Sequence, residues 1–164
     1  MKIFFTIILL FLLPLLTAAQ QLPDSLHNVY LKTTDDSTRY VVGKNLYDYY
    51  EESNKDSALY YAQQDLMLAR KHNEKLAEAY FLDNTAYQLI GMGKYAEALQ
   101  LVLEAFTITK EPKNETQSTW VLFTHPFNGS SRLLILSYTH HIFAILMRET
   151  QNIEQEIIHY SEAR

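Results

Sequence analysis

The most constraining feature of this sequence is the stretch LDNTAYQLIGMGKYAEALQLVLEAF, which runs from Leu82 to Phe106. Apolar and small residues recur along it at helical steps, first up to Leu89 and again from Ala98 onward. That spacing is the period of an amphipathic helix. Between the two runs, Gly91-Met92-Gly93 supplies glycines, which tolerate the positive φ angles at which helices end. The stretch therefore predicts two helices joined by a tight turn.

Small side chains stand where these two helices would cross. Ala86 on the first helix, with Ala98 and Ala105 on the second, allows close approach of the backbones, and Tyr95 fills the space beside the turn. This alternation of small and large residues around Gly93 resembles the tetratricopeptide (TPR) repeat. The resemblance implies an all-α fold: a helical-hairpin solenoid of about three repeats that forms a right-handed α–α superhelix after a signal peptide and a leading helix.

An earlier copy of the pattern precedes this hairpin. Ala58 lies 40 residues before Ala98 and has the same residue type, and a fixed period with matching residue types is typical of stacked repeats. The copy departs from the pattern at Asp65, which stands where the later hairpin has Ala105. Aspartate is a poorer helix former than alanine. Replacing Asp65 with alanine is therefore expected to be neutral or stabilising.

A third copy begins with the apolar run 132–148 and is separated from the second by a longer, aromatic segment. Such long loops usually pack onto their neighbours. The predicted domain covers residues 24–164, with repeats at about 38–72, 75–111 and 132–164 and a loop insertion at 112–131. Its last helix exposes Ile157 and Ile158 without a capping helix. Self-association through this open end, or fraying of Ile153 to Arg164, is expected.

The N-terminus has the layout of a secretory signal peptide. Lys2 precedes an apolar run from Ile3 to Leu16, and the small residues Thr17-Ala18-Ala19 follow. Residues 1–19 are therefore predicted to be removed near Ala19, which implies an exported, periplasmic or secreted protein. An uncleaved membrane anchor is the alternative, although the run is short for a bilayer span. The sequence contains no cysteine, so a lipid-modified N-terminal cysteine is excluded.

Charge and composition argue against several classes of partner. After cleavage the chain would carry thirteen Lys and Arg residues against nineteen Asp and Glu, and hence a formal charge of −6. An acidic chain without a basic patch is a poor ligand for nucleic acid. Without cysteine there is no disulfide framework, so packing alone must stabilise the fold.

No recognised catalytic or cofactor-binding motif is present, which predicts a protein that is not an enzyme and has no cofactor. The only histidine cluster is His140-His141, with His125 and His159 nearby in the sequence. Adjacent helical residues point about 100° apart, so this pair does not suit one metal ion. Glu51 and Glu52 are interpreted as part of a solvated helix face, because general acid–base chemistry needs a cleft.

Each predicted first helix also has a second face that is rich in tyrosine. In TPR proteins the equivalent face lines a concave groove that binds peptides, so these residues form the candidate peptide-binding face by resemblance. They are Tyr40, Tyr47, Tyr50, Tyr80, Asp83, Tyr87, Tyr138, His141 and Arg148. Tyrosine combines a rigid apolar ring with a polar tip and suits contact surfaces. Packing between neighbouring repeats is the alternative role, and the sequence leaves both open. Arg148 is expected to pair with an acidic group of an extended partner.

Three segments resemble the periplasmic TPR regions at the N-terminus of Bacteroidetes sensor and regulatory proteins: DSALYYAQQ (Asp56–Gln64), GKYAEAL (Gly93–Leu99) and SYTHHIFAILM (Ser137–Met147). The resemblance implies a non-enzymatic module that binds a protein or peptide segment outside the cytoplasm. The alternative is the truncated input domain of a membrane-bound sensor kinase or transcriptional regulator. An enzyme with a histidine or carboxylate site is the third hypothesis, and it has no motif in its support.

Overall fold

The computed structural model describes residues 23–116, 120, 130–151, 158 and 162–163. Within these residues every regular element is a helix, which confirms the predicted all-α, TPR-like fold. The elements are α1 (23–32), α2 (Asp36–Tyr50), α3 (Lys55–His72), α4 (Lys75–Gly91), α5 (Tyr95–Thr109), a short 3-10 helix (Pro112–Thr116) and α6 (Ser131–Glu149). The predicted signal peptide and nearly all of the predicted last helix lie outside the described residues.

The helices end where the local sequence supplies the right backbone geometry. Gly93 has a φ of 74°, and the amide of Lys94 donates to the carbonyl of Leu89 over 2.9 Å, which closes the last turn of α4. Asn73 has a φ of 56° at the end of α3, an angle that asparagine adopts more readily than most residues. The turn at Gly93 produces the hairpin α4–α5, and the turn at Asn73 produces the short link between α3 and α4.

Small residues lie at the helix crossings, as the sequence predicts. Ala58, Ala86, Ala98 and Ala105 are completely buried, and α4 packs against α3, α5 and α6. One apolar cluster is formed mainly by α2, α3 and α4, and a second lies between α4, α5 and α6. Helix α4 belongs to both clusters and is therefore the central element of the stack.

The start of α6 is held by a carboxylate from the 3-10 helix. Glu115 accepts hydrogen bonds from the backbone amides of Ser131, over 2.9 Å, and of Arg132, over 3.3 Å. It also accepts from the hydroxyl of Ser130, whose side chain caps the helix by accepting from the amide of Leu133. A negative group at a helix N-terminus satisfies free amides and complements the helix dipole. Glu115 thereby fixes α6 against the 3-10 helix at the start of the insertion.

The crossing of α2 and α3 contains a buried acid. Asp65 is fully buried, and neither carboxylate oxygen has a hydrogen-bond partner among the described residues. Its side chain lies against Gly43, where an added Cβ would be only 2.7 Å from Oδ2. Burial raises the pKa of Asp65 from 3.8 to about 9, although the charge of Lys44 opposes this and that of Asp48 adds to it. At neutral pH Asp65 is therefore protonated in the folded chain.

This burial predicts a specific pH dependence of stability. Because the pKa of Asp65 is higher in the folded chain than the ordinary 3.8, the folded state binds the proton more tightly. Stability from this group is then greatest below pH 3.8 and is lost as the pH rises towards about 9. The loss can reach about 1.4 kcal/mol per pH unit. We expect the free energy of unfolding of wild type to fall relative to that of Asp65→Asn between pH 5 and pH 8, as measured by urea titration.

The matched control is Asp65→Ala, which removes the acid and its hydrogen-bonding groups together. At neutral pH it should unfold at the same urea concentration as wild type or at a higher one, because no unpartnered acid remains in the core. A constant difference between wild type and Asp65→Asn across the pH range would contradict the assigned burial cost.

Candidate functional site

The structure divides the nine residues of the candidate peptide-binding face into three buried residues, one that turns towards α3 and five that form a partly exposed surface. Tyr40, Tyr47 and Asp83 are buried, with exposed fractions of 1%, 1% and 0%. For these three residues the expected position on an open groove is wrong. Each is covered by a different neighbour, and in each case the neighbour is distant in the sequence.

Tyr40 is covered by the insertion. The ring of Trp120 lies 4.4 Å from that of Tyr40 and 5.3 Å from that of His72. The backbone amide of Trp120 donates to a carboxylate oxygen of Glu74 over 3.3 Å. Phe81 of α4 meets Tyr40 edge-on from another side, with ring centroids 5.6 Å apart. Tyr40 is therefore part of the core, because the insertion returns to the first hairpin.

Tyr47 is held between α2 and α4. Its hydroxyl donates to Glu51 Oε1 over 3.2 Å and accepts from the side-chain amide of Gln88 over 3.4 Å. That amide also donates to the backbone carbonyl of Glu51 over 3.3 Å. Tyr47 thus satisfies polar groups at the contact between two first helices, where a groove residue would remain open to a ligand.

Asp83 lies at the contact between α4 and α6. Its Oδ2 accepts a hydrogen bond of 2.7 Å from the hydroxyl of Thr139, while Oδ1 has no partner among the described residues. Burial raises the pKa of Asp83 well above its ordinary value, and the hydrogen bond from Thr139 opposes this. Asp83 is a packing residue between repeats.

Tyr50 is partly buried but turns towards α3. Its ring stacks on that of Tyr61 at a centroid distance of 6.0 Å and meets Tyr49 edge-on at 5.0 Å. The hydroxyl of Tyr61 in turn forms a hydrogen bond of 2.8 Å with a ring nitrogen of His27. Tyr50 therefore belongs to an aromatic cluster beside α1 and α3, away from the other first helices.

The remaining five residues form a partly exposed surface on α4 and α6, which we name the groove face: Tyr80, Tyr87, Tyr138, His141 and Arg148. The rings of Tyr80 and Tyr138 lie 5.8 Å apart, and His141 stacks on Tyr138 at 6.5 Å. The hydroxyl of Tyr138 donates to Asn84 Oδ1 over 3.0 Å. The structure thus brings together the aromatic residues of two successive repeats and fixes their orientation.

A cleft with a volume of about 360 Å³ lies beside the groove face, at the ends of α2, α4 and α6. We name it the end cleft. It is lined by Glu51, Glu52, Lys55, Tyr87, Gln88, Ile90, Gly91, Gly93, Tyr95, Ile145, Arg148 and Glu149. Because all three first helices contribute their C-terminal ends, they run in the same direction through the stack.

Two glutamates on one side of the end cleft are oriented by tyrosines. The hydroxyl of Tyr87 donates to Glu52 Oε1 over 2.9 Å, and Tyr47 donates to Glu51 as described above. Burial raises the pKa of Glu51, an effect opposed by its hydrogen bond from Tyr47. Glu52 is exposed, but Glu51 is half-buried. The interpretation of both as a solvated face is therefore wrong for Glu51.

Sequence reasoning missed Lys44, Asn84 and Gln88, although all three lie on the first helices next to predicted face residues. Lys44 Nζ lies 5.8 Å from the ring centroid of Tyr80 and donates to Asp48 over 2.7 Å. Asn84 and Gln88 are four residues apart on α4, a spacing that places them on one face. The spacing could have indicated that both residues lie on one face of α4. A sequence does not distinguish polar residues on a buried helix from polar residues at the surface, so this indication is easily missed.

The described residues contain no group of three or more potential ligands that could hold a metal ion. His140 is buried, lies 3.0 Å from a carboxylate oxygen of Glu162 and packs against Phe106. His141 is exposed on the groove face, and His125 and His159 lie outside the described residues. None of the helices described is long and apolar enough to cross a membrane.

The different positions of Tyr47 and Tyr87 predict different mutational costs. Tyr47→Ala should reduce the free energy of unfolding by about 3–5 kcal/mol, because it leaves a cavity in the core. Tyr87→Ala should reduce it by no more than about 1 kcal/mol, because the ring is partly exposed and its partner Glu52 is exposed. Chemical denaturation of both variants measures the difference.

Tyr47→Phe is the matched control, since it keeps the ring and removes only the hydroxyl that joins Glu51 and Gln88. It should cost about 1–3 kcal/mol. Equal losses for Tyr47→Ala and Tyr87→Ala would contradict the packing described for Tyr47.

Comparison with known proteins supports the fold and identifies the family. Neither the curated proteins nor the solved structures include a significant match. A family model described as the SusR N-terminal TPR domain matches residues 20–119, which is more than half of the chain. The range covers α1 to α5 and ends before α6. The resemblance to TPR regions of regulatory proteins is thereby confirmed, and the chain belongs to the SusR N-terminal TPR domain family, whose fold is a protein-interaction module.

Proposed function

We propose that this chain is a non-enzymatic module that acts outside the cytoplasm and binds an extended segment of another protein along the groove face. The observation that carries the proposal is the alignment of Tyr80, Tyr138 and His141 on neighbouring first helices, with the ring of Tyr138 5.8 Å from that of Tyr80 and 6.5 Å from that of His141. Aromatic groups that are partly exposed and already held in place lose little conformational freedom on binding.

The polar groups next to these rings support binding of a peptide backbone. Asn84 and Glu52 hold the hydroxyls of Tyr138 and Tyr87 at 3.0 Å and 2.9 Å. Side-chain amides and carboxylates of this kind can also meet the backbone of an extended segment. The groove face therefore combines apolar contact area with hydrogen-bonding groups, which is the usual composition of an interface core and its rim.

The proposal is tested by selecting random peptides displayed on phage against the purified chain and measuring the affinity of selected synthetic peptides by fluorescence anisotropy. A double variant, Tyr87→Ala with His141→Ala, should weaken binding by at least about tenfold, because aromatic residues dominate interface energies. Circular dichroism should show unchanged helicity.

Tyr60→Ala is the matched control. Tyr60 is 48% exposed on α3 and lies outside the groove face, so its loss should leave the affinity of the selected peptides unchanged. Failure to select any peptide, or an equal loss of affinity for Tyr60→Ala and for the double variant, would contradict binding at the groove face.

A second candidate function is the input domain of a membrane-bound sensor kinase or transcriptional regulator. It is favoured by the description of the matching family as an N-terminal domain, since that position implies further domains downstream in the proteins that define the family. Reading the DNA after the codon for Arg164 for an in-frame or frameshifted continuation tests it. A continuation that encodes a membrane span and an effector domain would support this candidate.

Location outside the cytoplasm follows from the signal peptide proposed for residues 1–19. Expression of the whole chain in a bacterial host, followed by mass spectrometry of the exported fraction, should find a mature N-terminus at Gln20. Cleavage near Ala19 requires the small residues before it, so Ala19→Arg should block processing. Intact Met1 in the membrane fraction would instead support an uncleaved anchor.

A further inference from the structure

We infer that the end cleft binds a basic side chain, an arginine, of the protein segment that occupies the groove face. The inference rests on the proposed function, because it names the partner chemistry of that same surface. It is the reverse of the expectation that Arg148 pairs with an acidic group of the partner. Four observations support it. Among the described residues, two glutamates of the cleft have no ion pair, and the side-chain oxygen of Gln88 accepts no hydrogen bond. Three helices end at the cleft, and the cations that line it already have partners.

Glu51 and Glu52 have no cationic partner. The described residues place no Lys, Arg or His nitrogen within 4.0 Å of either carboxylate, although such pairs form at several other acids of this chain. Their hydrogen bonds come instead from the neutral hydroxyls of Tyr47 and Tyr87, over 3.2 Å and 2.9 Å. Each carboxylate can accept several hydrogen bonds, so both keep free acceptor capacity towards the cleft.

Gln88 provides a third acceptor that lacks a donor. The residue is 1% exposed and lines the end cleft. Its amide nitrogen donates to Tyr47 and to the carbonyl of Glu51, whereas its carbonyl oxygen accepts no hydrogen bond from the described residues. An amide held by its nitrogen in this way presents its oxygen in a fixed direction. This oxygen is not among the buried side-chain atoms that lack a partner, so it keeps contact with the solvent of the cleft, and a ligand that donates hydrogen bonds can reach it.

The backbone adds negative potential at the same place. The cleft lies at the C-terminal ends of α2, α4 and α6, where free carbonyl groups and the helix dipoles favour positive charge. Within the chain this preference is already used once, because Lys55 Nζ donates to the carbonyl of Gly91 over 2.7 Å. The N-terminal ends of α3 and α5, which begin at Lys55 and Tyr95, also reach the cleft, so three carbonyl ends stand against two amide ends and the balance favours a cation.

The two cations that line the cleft are already engaged. Lys55 is bound to Gly91 as described, and the guanidinium of Arg148 pairs with Glu149 at 3.3 Å. Arg148 is therefore matched by an acid on its own helix end. Glu51 and Glu52, which follow α2, have no ion pair among the described residues; the charge of Lys44 acts on Glu51 only from a distance, and Lys44 itself donates to Asp48. The cleft therefore favours a hydrogen-bond donor with positive charge.

Arginine suits this set of acceptors better than lysine or a metal ion. Its guanidinium carries five donors in a planar fork, which can meet a carboxylate and an amide oxygen together. Tyr87 and Tyr95 also line the cleft, and aromatic faces stack favourably on a guanidinium. A volume of about 360 Å³ is in the range of pockets that hold a side chain or a small ligand.

The test uses the tripeptide acetyl-Gly-Arg-Gly-amide and its citrulline analogue, which has the same shape without the charge. With the full chain labelled at isoleucine methyl groups, NMR titration should shift Ile90 and Ile145, which line the cleft. The citrulline peptide should bind at least about tenfold more weakly. Affinity for the arginine peptide should fall as salt is raised, because exposed charges are screened.

The double variant Glu51→Gln with Glu52→Gln should weaken binding of the arginine peptide by at least about tenfold while retaining the hydrogen bonds from the tyrosines. Glu97→Gln is the matched control, since Glu97 is exposed on α5 and does not line the cleft, and it should bind as wild type does. Unchanged methyl shifts with the arginine peptide, equal binding of the citrulline peptide, or tighter binding of Ca²⁺ alone at the same methyl groups would overturn the inference.

Failure of this inference and failure of the proposed function can be told apart. If phage selection yields peptides whose binding depends on Tyr87 and His141, but the arginine peptide gives no shift in the end cleft, the groove face binds a segment and the arginine assignment is wrong. If neither experiment shows binding, both the proposed function and the arginine inference are wrong.

Discussion

Burial of most of α4 is the constraint on which the rest of the structure depends. This helix carries several polar side chains that are almost fully buried, among them Glu78, Asp83, Asn84 and Gln88. Buried polar groups need partners, and α2, α3 and α6 supply one to each of these four side chains. Arg70 of α3 pairs with Glu78, Thr139 and Tyr138 of α6 bind Asp83 and Asn84, and Tyr47 of α2 meets Gln88. The polar face of α4 therefore positions three helices around it.

This constraint also explains the geometry of the candidate site. The hydrogen bonds that satisfy α4 hold Tyr138 on one side and Tyr47 with Glu51 on the other. The groove face and the end cleft thus lie at the edges of one connected set of buried interactions. Surfaces supported in this way stay in one arrangement before a ligand arrives, which reduces the entropic cost of binding. Recognition and stability in this chain share the same residues.

The features that could be predicted from the sequence depend on residues close together in the chain. The features that could not be predicted depend on contacts between residues far apart in the chain. The hairpins, the turn at Gly93 and the buried alanines follow from helical spacing and residue size, so they were predictable. The burial of Tyr40 was not, because it depends on Trp120, which lies in the insertion. Tyr47 and Tyr87 also occupy equivalent positions in successive repeats. Only the hydroxyl of Tyr47, however, lies between Glu51 and Gln88 of the next first helix. Position in the stack, rather than position in the repeat, decides exposure.

The contacts of Glu115 have a consequence for how this chain can vary. Glu115 lies near the start of the insertion and binds Ser130, Ser131 and Arg132 at its end, so the two ends of the intervening segment are joined independently of what lies between. The entropic cost of closing a loop rises only slowly with its length. Segments of different length can therefore be accommodated between these anchors without moving α6. The insertion is a position at which related chains can diverge, or at which a tag or a second domain can be placed, while the helical stack keeps its register.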